Sequence, residues 1–247
     1  MGLFDLFRKK VEPKPEVPVE PVFQSVGAFE MASCRGQDAL KQLWKLREAG
    51  RARGFQVILL GDEDDANGLA ENRELSGTAP EEYLRLAMEL DIRQWLQERR
   101  EEYAEQMSSV MGDWPAEAPK AGSILAHLDI LTGRPKGTVC LAKVPTAHNW
   151  QVPAYIGMGG WNDCPDASVL TAFARRWRER YGAEVVSITH DVMEFTVAKP
   201  PTTREAAMEL ANEQYLFCYD IVEQGVETIP ALAATVLNAN YWYFWWD

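Results

Sequence analysis

The sequence predicts an α/β (α+β) protein in which helices flank a mixed β-sheet. Strand-like and helix-like segments alternate along the chain without an internal repeat, and 47% of the 247 residues are hydrophobic, enough for a sizeable core. We expect one extended domain or two sub-domains. Residues 1–24 form a proline-rich flexible tail, residues 25–136 an amino-terminal α/β region, and residues 137–247 a carboxy-terminal α+β domain.

The first elements follow the tail. Four prolines within residues 11–22 fix extended backbone and predict a tail or linker. A helix then begins at a cap formed by Asp38 and ends near Gly50. The apolar run Phe55–Leu60 predicts a buried strand that ends at Gly61.

The middle of the chain predicts an acidic loop and the longest helix. Asp62–Asp65 is typical of a solvated loop after the strand. Thr78–Glu81 fits a capping box with proline in the first turn, and it starts a helix that reaches about Met107. Residues 112–122 are expected to be a connector.

Two short strands and a turn-rich loop open the carboxy-terminal region. Val139–Val144 and Val152–Ile156 have strand character, and Gly157–Pro165 is the loop. A helix follows whose inner face repeats every four residues and consists of Val169, Phe173, Trp177 and Tyr181.

The chain ends with a predicted hairpin, two helices and an aromatic segment. Glu184–Thr189 and Val192–Ala198 form the hairpin, which turns at His190 and Asp191. A second capping box at Thr202–Glu205 starts a helix that stops at Gly225, and a shorter helix runs from Thr228 to Leu237. Tyr241–Asp247 is predicted to be a strand buried on both faces of the sheet, with an exposed binding edge as the alternative.

The charge balance restricts the class of partner. The 25 basic and 37 acidic side chains give a net charge of −12. Such a field repels nucleic acid and anionic lipid and favours basic proteins. No apolar run is long enough for stable membrane insertion. The four cysteines lie far apart, as expected of reduced thiols, so we expect a cytoplasmic protein.

The sequence contains no recognisable catalytic or metal-binding motif. Phosphate-binding, dinucleotide-binding, nucleophile-elbow and zinc-protease patterns are all missing, and we expect no cofactor and no metal site. Cys164 is the strongest candidate nucleophile, beside Asp163 and with His148 or His190 as the base. We favour a structural role for Cys164, because the sequence shows neither a lowered pKa nor a base within reach.

A set of short motifs in the carboxy-terminal region resembles a known family. The motifs are Val152–Tyr155, Gly159–Pro165, Arg180–Glu184, Ala198–Pro201, Glu213–Tyr215, Asp220–Val222 and Tyr241–Asp247. In this combination, residues 152–247 resemble a bacterial family catalogued as domain of unknown function 4253 (DUF4253). The resemblance implies a shared fold and no assigned reaction, so it supplies no catalytic residues.

These observations favour a protein-binding module over an enzyme. The leading hypothesis is an immunity-type protein that inhibits a basic toxin such as a nuclease, because acidic surfaces complement basic clefts. One alternative is an enzyme with a small-molecule pocket at Gly157–Pro165, and another is a scaffold tethered through residues 1–22. The partner-binding candidates are Asp62, Glu63, Asp64, Asp65, Trp150, Trp161, Asn162 and Asp163. The oligomeric state stays open.

Overall fold

The strands form one mixed sheet in the computed structural model, which describes residues 21–26, 29–117 and 122–247. The predicted tail therefore lies, up to residue 20, outside the described residues. The strands are β1 Gln24–Val26, β2 Phe29–Cys34, β3 Gln56–Gly61, β4 Val139–Val144, β5 Ala183–Ile188, β6 Val192–Val197 and β7 Tyr241–Trp245. Their order is β1-β2-β4-β3-β5-β6-β7; β3 and β5 are parallel, and all other neighbours are antiparallel.

Helices cover both faces of the sheet, which confirms the predicted α/β class. The helices are α1 Gly36–Arg53, α2 Glu63–Ser76, α3 Pro80–Glu89, α4 Ile92–Glu102, α5 Ala104–Ser109, α6 Val152–Ile156, α7 Ala167–Tyr181, α8 Arg204–Phe217 and α9 Ile229–Val236. A 3₁₀ turn at Asn149–Gln151 and a π-helical turn at Ile221–Val226 complete the described helical structure.

The side chains of β3 point alternately to the two faces of the sheet, and each face has its own hydrophobic core. Ile58 and Leu60 lie in the larger core with α2 and α6 to α9, whereas Val57 and Leu59 lie in a smaller core with α1. Every residue of β3 is buried, which explains why Val57 to Leu60 form an unbroken apolar run.

An aromatic cluster joins the terminal strand to α7. Trp177 stacks on Phe244 with ring centroids 5.1 Å apart, and Trp242 and Trp246 are buried on the same side. Tyr241 is exposed, and the residues on the other face of β7 are half-buried. The strand is thus as predicted, but β7 buries one face completely and the other only in part.

The prediction of a loop at Asp62–Asp65 was wrong. Asp62 is the N-cap of α2, and the next three acidic residues form its first turn. Their negative charges stabilise the helix because they face the positive end of its dipole.

The long helix predicted from Thr78 to Met107 is three helices. Asp91 caps α4 with its carboxylate and separates it from α3, and Tyr103 separates α4 from α5. The N-cap of α3 is Ala79, which makes no side-chain cap, so the predicted capping box at Thr78 does not form.

The strand predicted at Val152–Ile156 was also wrong. This segment is the single-turn helix α6, with Pro153 in its first turn and Gly157 in the left-handed conformation at its end. Four of its five residues are buried, so the apolar character that suggested a strand reflects packing of a short helix.

The sheet crosses the boundary predicted near residue 137. Strand β4 follows that boundary in sequence, yet it lies between β2 and β3, which precede it. Strand β3 in turn pairs with β5 on its other side. The two regions therefore share one sheet and contribute alternate strands to its centre.

Candidate functional site

A polar cluster lies where the parallel strands β3 and β5 end. Chain segments that follow the carboxyl ends of adjacent parallel strands meet at one edge of the sheet, and α/β proteins commonly bind ligands there. Asp62 directly follows β3, and Thr189, His190 and Asp191 directly follow β5. The pairing of Leu59 with Ser187 fixes these segments side by side.

Asp62 and Asp65 are held by the start of α2. The Asp62 Oδ1 atom accepts hydrogen bonds from the backbone N–H groups of Asp64 and Asp65, both at 3.1 Å. Asp65 Oδ2 accepts from the Asp62 N–H at 3.1 Å, which completes a capping box. Glu63 and Asp64 are exposed.

Lys136 neutralises part of this charge. Its Nζ atom donates to Asp62 Oδ2 at 2.8 Å and to Asp65 Oδ2 at 3.1 Å. Partial burial opposes ionisation of Asp62, but the hydrogen bond from Lys136 prevails and lowers the pKa of Asp62. The same two bonds outweigh the effect of burial on Lys136 and raise its pKa.

His190 and Asp191 complete the cluster. His190 Nδ1 lies 2.6 Å from Asp65 Oδ1 and 3.5 Å from Asp191 Oδ1, and the His190 side chain is 58% exposed. Asp191 accepts from Thr189 Oγ1 at 2.9 Å and from Trp245 Nε1 at 3.0 Å. The sequence placed His190 and Asp191 in a hairpin turn and considered His190 only as a possible base for Cys164, not as a neighbour of Asp65. Two polar residues directly after a strand were the sequence feature that could have indicated a site. That feature indicates one only when the pairing of β5 with β3 is known, because the pairing brings them beside Asp65.

A cavity of about 570 Å³ opens beside the cluster. Tyr243 and Trp245 of β7 line one side, and the segment 125–131 lines another. The buried carboxylate of Glu194 anchors this segment by accepting from the N–H groups of Leu125 at 2.6 Å and Ala126 at 3.2 Å. We call this cavity and its polar cluster the carboxyl-edge pocket.

The carboxyl-edge pocket is negatively charged at one end and apolar elsewhere. The carboxylates that line it belong to Asp62, Asp65, Asp129 and Asp191, against the single fixed cation of Lys136. Ile130 and Leu131 also line it, and they are 75% and 92% exposed. The pocket thus combines carboxylates, aromatic rings and exposed aliphatic side chains, a composition that suits a cation with apolar surroundings.

The other predicted partner-binding residues lie in separate surroundings. Asp163 pairs with Arg99 and accepts from Tyr103 Oη at 2.8 Å, and so fixes the Gly157–Pro165 loop to α4. The Asn162 side chain donates to the backbone oxygen of Asp247 at 2.7 Å. Trp161 and Trp150 are both half-buried. The structure groups Asp62 and Asp65 with His190 and Asp191, leaves Glu63 and Asp64 exposed on α2, and places these four residues elsewhere.

Cys164 lies in a setting unsuited to a nucleophile. It is buried, and burial raises the pKa of its thiol. Among the described residues, the group of His, Cys, Asp and Glu side chains close enough to share one ion is Asp65, His190 and Asp191, without Cys164 or Asp163. An enzyme pocket at Gly157–Pro165 would need Cys164, Asp163 and a histidine side chain close together, and this group does not include Cys164 or Asp163.

A somewhat larger cavity, of about 640 Å³, lies near the start of β3 and the end of β4. Three of its charged side chains already have partners: Lys143 donates to Glu30 at 2.5 Å, and Arg73 donates to the backbone oxygen of Thr78 at 2.6 Å. The carboxyl-edge pocket is the stronger candidate despite its smaller volume, because several titratable side chains converge there.

Fold and pocket together define an α/β protein with an acidic pocket at the carboxyl edge of a parallel strand pair. Residues 140–247 match the model of a family described as domain of unknown function (DUF4253). This match confirms the resemblance found from residue 152 and extends it to residue 140. No curated protein and no solved structure matches the chain. Within the described residues, no helix has the length and apolar character needed to cross a membrane.

Proposed function

We propose that the protein is a binding module for a basic protein, and that a cationic side chain of this partner enters the carboxyl-edge pocket. The observation that carries the proposal is the lining of the pocket, in which four carboxylates face one lysine beside Tyr243 and Trp245. A lysine or arginine side chain can contact the aromatic faces while its charge approaches the carboxylates.

The exposed aliphatic residues at the pocket favour a protein partner over a small cation. Ile130 and Leu131 offer apolar surface that a protein partner would cover, next to the acidic side chains. The net charge of −12 would accelerate encounter with a basic partner and make binding sensitive to salt.

An immunity-type inhibitor of a basic toxin, such as a nuclease, fits this kind of recognition. An acidic inhibitor can block a basic catalytic cleft without catalysing a reaction of its own, and we propose none for this protein. We also propose the cytoplasm as its compartment, supported by the free thiols of all four cysteines.

The proposal can be tested by titrating the full chain with a Leu-Arg-Leu peptide while recording ¹H–¹⁵N NMR spectra. We expect the indole N–H signal of Trp245 and the amide signals of residues 125–131 to shift, and the shifts to diminish as salt is added. A Leu-Glu-Leu peptide should leave these signals in place. Equal responses to both peptides would contradict the proposal.

A pair of charge variants isolates the contribution of the pocket. D62N/D129N removes two carboxylates from the pocket while keeping an oxygen that can accept the turn and cap hydrogen bonds. E71Q/E74Q changes the net charge equally at exposed positions of α2. We expect D62N/D129N to weaken Leu-Arg-Leu binding about fivefold, since each lost charge contributes about 0.5 kcal/mol. E71Q/E74Q should bind like the wild type, and equal weakening in both variants would indicate a general charge effect.

A further inference from the structure

We propose that Asp65, His190 and Asp191 form a binding site for one divalent transition-metal ion, open to the carboxyl-edge pocket. The site does not depend on the proposed protein partner. Asp65 belongs to the first turn of α2, and the other two residues belong to the turn between β5 and β6. The three ligand atoms lie within 4.8 Å of one another.

The distances from His190 to the two carboxylates are close to those between ligand atoms around a metal ion. His190 Nδ1 is 2.6 Å from Asp65 Oδ1 and 3.5 Å from Asp191 Oδ1. With metal–ligand bonds of about 2.1 Å, neighbouring ligand atoms are about 3.0 Å apart in octahedral and about 3.4 Å apart in tetrahedral coordination. An ion therefore requires the Asp65–His190 separation to lengthen by about 0.4 Å for octahedral or about 0.8 Å for tetrahedral coordination, within the freedom of the exposed His190 side chain.

The hydrogen bonding of His190 also points to a cation. Two carboxylate oxygens approach the same ring nitrogen, but a single N–H group donates well to only one of them. A metal ion placed between the three atoms would be bound by Asp65 Oδ1, by Asp191 Oδ1 in addition to its hydrogen bond from Thr189, and by the lone pair of a neutral imidazole whose proton is on Nε2.

Surrounding contacts hold the carboxylates in place. Asp65 Oδ2 accepts from the Asp62 N–H and from Lys136, which leaves Oδ1 for the ion. Asp191 is fixed by Trp245 and Thr189. Such outer contacts orient metal ligands and tune the affinity of the site.

The charges balance when a divalent ion is bound. Asp62, Asp65 and Asp191 carry three negative charges, and Lys136, which pairs with both Asp62 and Asp65, offsets one of them, so two remain for the ion. One imidazole and two carboxylates suit Zn²⁺ or Mn²⁺, whereas Ca²⁺ prefers six to eight oxygen ligands. Three protein ligands leave a coordination position that faces the cavity.

The test is calorimetric titration of the full, chelator-treated chain, made without a histidine tag, with ZnCl₂ and in parallel with CaCl₂. We expect one Zn²⁺ per chain and no comparable Ca²⁺ binding. H190A should lower Zn²⁺ affinity at least about tenfold. H148A removes an exposed histidine elsewhere and should leave the affinity unchanged. An unchanged affinity in H190A, or no saturable Zn²⁺ site in the wild type, would overturn the proposal.

A second measurement separates this site from the cysteines. Co²⁺ bound by one nitrogen and carboxylate oxygens gives weak visible absorption, and we expect that spectrum in the wild type and its loss in H190A. An intense thiolate charge-transfer band would place the ion on cysteine and refute the assignment. Because the ion and a cationic side chain would share Asp65 and Asp191, the peptide titration is made on the chelator-treated chain. Neither metal readout involves the peptide, so the failure of one proposal can be told from the failure of the other.

Discussion

Glu194 shows how a single buried side chain shapes the carboxyl-edge pocket. It lies in β6 between Met193 and Phe195, which point into the larger core, so the Glu194 side chain points to the opposite face. There its carboxylate binds the backbone of residues 125 and 126, which line the pocket. The sequence alone suggests a solvated acidic position on a hairpin, because the amide partners are almost 70 residues away in the chain.

Glu194→Gln tests the cost of burying this carboxylate. Burial raises the pKa of Glu194, although two backbone hydrogen bonds favour its ionised form. Above the ordinary pKa of about 4.3, the unfolded chain loses this proton while the folded chain retains it. Wild-type stability should therefore fall, relative to the variant, by up to about 1.4 kcal/mol per pH unit until the raised pKa is reached.

Urea unfolding of both proteins between pH 4 and pH 7 measures this difference. The variant also loses one hydrogen-bond acceptor, which shifts its free energy of unfolding by the same amount at every pH. The test is therefore the slope of the stability difference against pH. A stability difference that does not change over this range would show that Glu194 ionises equally easily in both states.

At the scale of elements, Gly159 controls the path of the loop between α6 and α7. Its φ of +97° is unfavourable for other residues, and a Cβ atom there would lie 1.9 Å from the backbone oxygen of Pro165. Gly77 also has a positive φ, of +60°, but no atom lies within 4 Å of its virtual Cβ. An alanine at Gly77 would therefore cause backbone strain alone, whereas an alanine at Gly159 would cause both strain and steric overlap.

We expect Gly159→Ala to lower the free energy of unfolding by at least about 3 kcal/mol, because strain and overlap act together. Gly77→Ala should lower it by about 1 kcal/mol, from strain alone. Urea denaturation of the two variants beside the wild type measures both values. Similar losses would mean that the loop shifts to accommodate the added methyl group.

The elements that the sequence predicted correctly are those with a strong apolar pattern. The all-buried β3, the aromatic face of α7 and the β5–β6 hairpin belong to this group. Helix α2 escaped prediction because its buried apolar residues are only Ala66 and Leu69. Its acidic first turn was the usable signal, since such turns favour helix amino termini. Helix α6 was misassigned because one apolar turn has no distinguishable period.

At the scale of the whole molecule, β3 joins two sets of strands. On one side it pairs with β4, and on the other with β5. The family match at residues 140–247 contains β5 to β7 and nearly all of β4, but it does not contain β3. A fragment limited to the matched residues would lack both strands that pair with β4, because β2 and β3 both precede residue 140.

We therefore expect residues 140–247, expressed alone, to lack a cooperative unfolding transition. The backbone groups of β4 would be unpaired, and the core faces of β4 and β5 would be exposed. A chain of residues 21–247, which keeps every described strand, is the control and should unfold cooperatively. Near-ultraviolet circular dichroism during urea unfolding measures both. A native-like, cooperative transition of the fragment would show that the matched region is an independent domain.

The strand order is the part of the fold that the sequence could not supply. Alternating helices and strands indicate the class, but they leave the position of β4 between β2 and β3 undetermined. The carboxyl-edge pocket depends on the same long-range pairing. Asp62 and Asp65 were candidates from charge alone, whereas His190, considered from sequence only as a base for Cys164, joins them through the parallel alignment of β3 with β5.

Because β3 is central, two separate stretches of sequence line the carboxyl-edge pocket. Asp62, Asp65 and Lys136 come from before residue 140, whereas the histidine, its neighbouring aspartate and the aromatic rings come from the matched region. Substitutions before residue 140 alone would change the charged side chains of the pocket and leave Tyr243 and Trp245 in place. Under the proposed function, exchanging the leading part of such a chain would change the partner that it binds while the trailing part is retained.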